Sequence, residues 1–303
     1  MRKLGGIQML VIEKEGNYEN INIEASKALE EYLQILKLIN ISEATIKNYK
    51  RCLERFLRDC NCPLESLNKE VVLQWITETS NGKKDSTRRF YISILSSFFK
   101  FCWQEGYTKN QIVRGLRGPT LPQTLPKYLM EEEIAKVRVV LEEQLIRDQA
   151  LFMLLLTSGL RRKEICNLLI EDINLEKQRV RVREMDRRQR ERYVYFSKEC
   201  ELILQEYLNT RSTAPTEPLF VNRYGRKLQP DSISLFTRRL GEKAGLKQSL
   251  HPNIIRNTFA KLMLERGMSL SFLAEILGHE SYNTTLRYVR IISEDKKKSA
   301  LGY

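Results

Sequence analysis

The segment Arg117-Gly-Pro-Thr-Leu-Pro-Gln-Thr-Leu-Pro-Lys127 holds three prolines and a glycine within eleven residues. Proline has no N–H to give to a helix or a sheet, and it pushes the residue before it into extended backbone. No helix or central strand runs through such a stretch, so the 303-residue chain is divided there. The proline content makes the strap stiff rather than floppy. Each side is long enough to bury its own core. The reading is an arm over 1–22, a helical domain over 23–116, a linker over 117–127 and a second domain over 128–303.

Upstream of the strap the apolar residues recur at helical spacing. Ala28, Leu29, Tyr32, Leu33 and Leu36 form one stripe. Ile46, Tyr49, Leu53, Phe56 and Leu57 form a second, behind Ser42 as N-cap. A third helix is predicted from Lys69 to Thr79 after Asn68, with Val72 and Trp75 inside. A fourth is predicted from Asp85 to Gln104, burying Tyr91, Leu95, Phe98, Phe99 and Trp103. These four make a small bundle.

Downstream the pattern is mixed. Met130-Glu-Glu-Glu opens a helix whose acidic first turn suits the helix dipole. Leu145–Thr157 reads as another helix, and its run from Ala150 to Leu156 is the longest apolar stretch, far short of a bilayer span. Gln178–Met185 and Glu191–Phe196 alternate in the manner of strands, with a turn at Asp186–Gln189. From Arg179 to Arg192 there are seven arginines against three acids, so the hairpin reads as a nucleic-acid contact. Helices follow near Lys198–Leu208 and Pro230–Ala244.

The formal charge is +13 and the isoelectric point about 9.4. Such a surplus favours a polyanionic partner, with nucleic acid the first candidate and a merely soluble basic surface the plain alternative. Lys47, Lys50 and Arg51 on the second helix, and Lys83, Lys84, Arg88 and Arg89 at the start of the fourth, are candidate phosphate contacts. Charge runs of this kind are otherwise solvated faces. Six cysteines show no pairing of C-x-x-C motifs, which argues against zinc and fits a reducing compartment. With no leader pattern and no membrane span, the expected location is the cytoplasm.

The chemistry concentrates between Leu250 and Val289. Both histidines of the chain, His251 and His279, lie there with Arg256 and Tyr288. Phe259, Leu262 and Met263, then a Gly267 break, then Leu270, Leu273, Ile276 and Leu277 fit two short amphipathic helices folding back on each other. An arginine fork matches phosphate oxygens, and a tyrosine hydroxyl beside positive charge is favoured towards its phenolate. Together they suit nucleophilic attack on a phosphodiester. An ordinary buried tyrosine and a solvated helix arginine would read the same way from composition alone.

The spacing is more specific. Leu277-Gly278-His279, then Thr284-Thr285, then Tyr288 resembles the C-terminal motif of the tyrosine recombinases, which include phage integrases and Xer-like enzymes. Arg256-Asn257-Thr258-Phe259-Ala260 resembles that family's second arginine box. Thr157-Ser158-Gly159-Leu160-Arg161-Arg162-Lys163-Glu164-Ile165 resembles the first. The resemblance implies a mainly α fold with a small β-sheet: a helical, SAM-like core-binding domain that clamps DNA, then an α+β catalytic domain. It implies Tyr288 as nucleophile forming a 3′-phosphotyrosyl link, with Arg161, Arg256 and His279 around the phosphate and Glu164 orienting the site. It implies neither metal nor nucleotide cofactor. The partners implied are double-stranded recombination sites, two of them held by a tetramer, from a monomer or dimer in solution.

Two positions depart from the family pattern. Arg187 stands where a lysine usually serves as general acid, flanked by Arg188 and Arg190. An arginine releases its proton too reluctantly for that role. Asn253 stands where the second box usually starts with histidine, and His251, two residues earlier, is a possible substitute. The identity of the acid and base therefore stays open. So does the choice between an active recombinase, an accessory DNA-binding protein with lapsed chemistry, and a type IB topoisomerase-like enzyme. Integration, excision and resolution of a mobile element or replicon dimer are equally compatible.

Overall fold

The computed structural model describes residues 21–116, 118–120, 124–183, 191–211 and 217–300, with side chains to residue 293. The chain divides into two compact units between Gln123 and Thr124. Arg187, Arg188, Arg190 and the turn at 186–189 lie outside the described residues.

The first unit is built on four helices: α1 Ile23–Leu38, α2 Glu43–Cys60, α3 Lys69–Thr79 and α4 Asp85–Gln104. Their starts follow side-chain chemistry. Asn22 Oδ1 accepts from Glu24 N, Ser42 Oγ from Thr45 N and Asn68 Oδ1 from Val71 N, so each caps donors that the helix leaves unpaired. The predicted stripes close on one aromatic core in which Phe56 meets Trp75 and Phe99 edge-on. Ile21, counted with the arm in the sequence reading, is buried in this core. Trp103 is not part of it. At 46 % exposed it lies on the outer side of the last turn of α4, where helical periodicity alone suggested burial.

The second unit winds around one helix. It contains α5 Glu131–Glu142, α6 Ile146–Ser158, α7 Arg162–Asn167, β1 Ile173–Asn174, β2 Arg179–Val182, β3 Arg192–Tyr195, α8 Lys198–Asn209, α9 Pro230–Lys243, α10 Pro252–Glu265, α11 Leu270–Leu277 and α12 Tyr282–Ala300. Every residue from Ala150 to Leu156 of α6 is buried, as an all-round apolar helix must be. α8 and α10 pack against it. The three strands form one antiparallel sheet in the order β1-β2-β3, with Val180 opposite Val194 and Val182 opposite Arg192. β1 was not expected, because two residues are too short to show alternation.

The sheet alters the reading of the basic hairpin. Arg181 Nε and Arg183 Nε both donate to Asp172 Oδ1, at 3.1 and 2.8 Å, and Asp172 is buried. Arg183 also bonds Glu171. Arg179 lies over the Tyr193 ring at 4.4 Å. Arg181 and Arg183 are thus occupied in holding the sheet to the segment before it, and Arg179 in packing on β3.

Candidate active site

The first arginine is placed by a tight reversal. α6 ends at Ser158, and Gly159 takes the left-handed backbone region at φ 63°. A Cβ on Gly159 would lie 2.3 Å from a ring carbon of Phe259, which belongs to the second arginine box. Only glycine meets both demands. Arg161 then caps α7: its N–H donates to Glu164 Oε2 at 2.7 Å and its Nη1 to Glu164 Oε1 at 2.9 Å. A glutamate reaching back to the N-cap backbone is half of a capping box, so helix start and ion pair are one construction. Gly159→Ala is expected to lower stability by about 2–4 kcal/mol, combining the left-handed penalty with overpacking. A thermal melt unchanged within error would contradict this geometry.

The two arginine boxes meet at the end of α11. The last carbonyls of a helix have no intrahelical partner and carry its negative pole. Here three successive ones are each taken by a different arginine. Ile276 O accepts from Arg192 Nε at 2.8 Å, Leu277 O from Arg256 Nη2 at 2.6 Å and Gly278 O from Arg161 Nη2 at 2.6 Å. Arg256 Nη1 reaches back to Gly159 O at 2.5 Å. Arg192 also donates to both oxygens of Glu164, each at 3.0 Å. Three guanidinium groups therefore face one carboxylate.

Burial by itself would raise the Glu164 carboxyl. Arg192, then the Arg161 N–H and guanidinium, outweigh it and hold the group below the usual carboxylate range. Burial, then Arg161, pushes the Arg256 guanidinium down to about 10, which leaves it charged at neutral pH. His279 is pushed down to about 4, first by burial and then by Arg256 and Arg161. Its Nε2 lies 3.2 Å from Arg256 Nη2, and its Nδ1 2.8 Å from Thr285 Oγ1. Guanidinium only donates, so Nε2 accepts and the ring is neutral with its proton on Nδ1. An unfolded imidazole titrates near about 6.5. Between that value and 4 the unfolded chain binds more proton, so this contribution to stability is full above about pH 6.5 and is lost as pH falls. His279→Gln is expected to lose less melting temperature than wild type between about pH 7 and about pH 5. Parallel curves would contradict the assignment.

Tyr288 lies on α12, which the sequence reading did not mark as a helix. It is only 5 % exposed, and its ring stacks on His279 with centroids 6.2 Å apart. Its hydroxyl donates to Asn257 Oδ1 at 3.0 Å, and Asn257 Nδ2 donates to Lys127 O at 2.8 Å. Burial raises the phenol above its ordinary value, against the pull of Arg256, Arg287 and Arg161. The expectation that nearby arginines leave the hydroxyl activated is therefore reversed in this arrangement, where desolvation is the larger effect.

Arg161, Glu164, Arg256, His279 and Tyr288 thus come together. Asn253 is exposed one turn before Arg256 on α10, and His251 is exposed just before that helix. Neither bonds the cluster among the described residues. Arg192, Asn257 and Thr285 were missed. Asn257 and Thr285 stood inside quoted motifs, but only the fold shows Asn257 under the tyrosine hydroxyl. In the first unit Lys47, Arg51, Lys84 and Arg89 are exposed. Lys50 lies 3.7 Å from Glu54, Lys83 donates to Tyr91 and Arg88 to Ser80.

Residues 127–294 match the phage integrase family, and residues 29–106 match the phage integrase N-terminal SAM-like domain. The chain belongs to the phage integrase family. Tyrosine recombinase XerA of Pyrococcus furiosus is 34 % identical over 278 residues, 90 % of this chain and 93 % of that protein. Tyrosine recombinase XerC of Bacillus subtilis is 30 % identical over 294 residues, covering 91 % and 95 %. Among solved structures, XerH site-specific recombinase bound to a palindromic difH substrate superposes with a TM-score of 0.74 at 21 % identity, over 91 % of this chain and 84 % of that one. A lambda integrase dimer bound to a COC′ core site gives 0.72 at 19 %, over 87 % and 94 %. This phage integrase family member is a site-specific DNA recombinase, an enzyme that cuts and rejoins DNA. Its two-part architecture is the expected one: a SAM-like helical domain followed by an α+β catalytic domain. Among the described residues no helix is long and apolar enough to cross a membrane.

Proposed function

We propose that this recombinase attacks a scissile phosphate with Tyr288 Oη, breaking the bond to the 5′-oxygen and leaving a 3′-phosphotyrosyl ester and a 5′-hydroxyl. A 5′-hydroxyl from a second duplex then reverses the step, so the ester conserves the bond energy and no nucleotide is consumed. The observation that carries this reading is the convergence of Arg161, Arg256, His279 and Tyr288 on the end of α11. Charge growing on the non-bridging oxygens meets two guanidinium groups already fixed by backbone carbonyls. Donation from His279 Nε2 to a phosphate requires the ring proton to pass from Nδ1 to Nε2. Thr285 Oγ1 supports either tautomer, because a hydroxyl both donates and accepts.

The partner is double-stranded DNA carrying recombination sites, bound as a tetramer on two sites and free in solution as monomer or dimer. Lys47, Lys50, Arg51, Lys83, Lys84, Arg88 and Arg89 are proposed as phosphate contacts of the helical unit, with Arg188 and Arg190 as contacts of the hairpin. Asn253 and His251 are proposed as hydrogen-bonding groups beside the phosphate, since Asn253 shares the face of α10 that carries Arg256.

The test is covalent capture. The protein is mixed with fragmented genomic DNA, denatured, and the DNA retained on protein is sequenced at its attached ends. Recovery of one recurrent sequence supports a site-specific recombinase. Adducts at unrelated sequences favour a relaxing enzyme, and no adduct favours an accessory DNA-binding protein.

Arg187 is proposed to stabilise the leaving 5′-oxygen. Arg187→Ala is expected to slow cleavage by about 10²–10³ with little loss of affinity. A 5′-bridging sulfur, which leaves without a proton, should restore the rate. Rescue of Arg188→Ala instead would move the role by one residue.

A further inference from the structure

Four charged groups, Arg161, Glu164, Arg192 and Arg256, form the knot at the end of α11, and three of them are residues a recombinase of this family is expected to use. The fourth is Arg192, the first residue of β3. Its side chain is 9 % exposed, too covered to meet a DNA phosphate, yet it makes three hydrogen bonds at the centre of the site. Two go to the carboxylate that also holds Arg161, and one goes to the Ile276 carbonyl next to the carbonyl held by Arg256. Gly278 packs against the same guanidinium: a Cβ there would sit 2.9 Å from Arg192 Cζ and Nη1. One planar fork thus spans β3, α7 and α11, and a lysine, as a single-point donor, cannot span all three.

We propose that Arg192 is a positioning residue for strand cleavage, setting Glu164 and the end of α11 in register so that Arg161 and His279 meet one phosphate. The proposal rests on the reading of Arg161, Arg256, His279 and Tyr288 as the cleavage site. Arg192 itself touches no reacting atom. In sequence it lies five residues after Arg187. Without Arg192, Glu164 keeps only its bonds to Arg161. The charged or titratable groups facing that carboxylate are then Arg161 at the cap of α7, Arg256 from α10 and His279 after α11. The partner that does most to keep it ionised is gone.

The experiment uses the full chain and a nicked duplex carrying the sequence recovered by covalent capture, with single-turnover adduct formation at saturating DNA. Arg192→Gln is expected to slow adduct formation about 100-fold, the scale set by misplacing reacting groups by an ångström. DNA affinity should stay within about threefold, because a buried group contributes no counterion release. Arg192→Lys should fall in between. The variant-to-wild-type rate ratio should drop further as the assay pH is lowered from about 8 to about 5.5, because without Arg192 burial is less opposed and Glu164 takes up a proton more readily. In the Arg192→Gln, Glu164→Gln double variant that slope should vanish and the two losses should be less than additive. A purely structural role would lower the melting temperature and leave the pH ratio flat. Arg192→Lys carries the same comparison if Arg192→Gln does not fold. Rates within threefold of wild type, a pH-independent ratio, or a loss confined to affinity overturns the proposal. If the wild type captures DNA but Tyr288→Phe does so too, the site reading fails first, whatever Arg192 does.

Discussion

Tyr288→Phe will bind duplex DNA as the wild type does and form no covalent complex with it. The change removes a single oxygen. The ring keeps its place against His279 and inside the core, since the phenyl fills the same volume. The fold loses the hydrogen bond from the hydroxyl to Asn257, worth about 0.5–1.5 kcal/mol. On the proposed mechanism the reaction loses its nucleophile, because among the described residues the other hydroxyl of the cluster, Thr285 Oγ1, is fully buried and bonded to His279. Denaturing electrophoresis of protein mixed with a nicked site duplex reads the result. A denaturation-resistant adduct formed by the Phe variant would remove Tyr288 from the mechanism.

Arg256 carries the second large effect, and it acts on two quantities at once. Arg256 is 5 % exposed, and its guanidinium bonds two carbonyls that have no other described partner, Gly159 O and Leu277 O. Arg256→Ala leaves both acceptors buried and unpaired, at about 1–3 kcal/mol each. On the proposed mechanism it also removes a fixed donor from the charge that develops at phosphorus, an expected loss of about 10²–10³ in rate. Arg256→Lys keeps the charge but reaches only one carbonyl at a time, so stability should recover in part and rate much less. A Lys variant cleaving within tenfold of wild type would show that charge alone suffices and that the bridging geometry is incidental.

Much of this was readable from residue order, and the limits have physical causes. Caps at Ser42 and Asn68, the buried stripe of α2 and the apolar run of α6 are local patterns, and each became the element it implied. The two arginine boxes and the Leu-Gly-His motif were readable as motifs, but their meeting point was not. That point is a row of backbone carbonyls, and a carbonyl leaves no mark on the sequence of side chains. Arg192 was hidden for the opposite reason: it sits among seven arginines that look alike in a string. Within the hairpin only the fold separates the arginine that crosses to Glu164 from those that pair with Asp172 or stack on Tyr193. Trp103 was misplaced because a stripe predicts a face but not how far along the helix that face stays covered.

The row of carbonyls at the end of α11 bears on how parts can be exchanged between relatives. Four stretches distant in sequence, around residues 161–164, 192, 256 and 276–279, contribute to one hydrogen-bonded knot. A chimera that imports another enzyme's hairpin or its second arginine box alone would bring a donor set cut for a different turn. The natural unit of transplantation is therefore all four stretches together. All four stretches belong to the second unit.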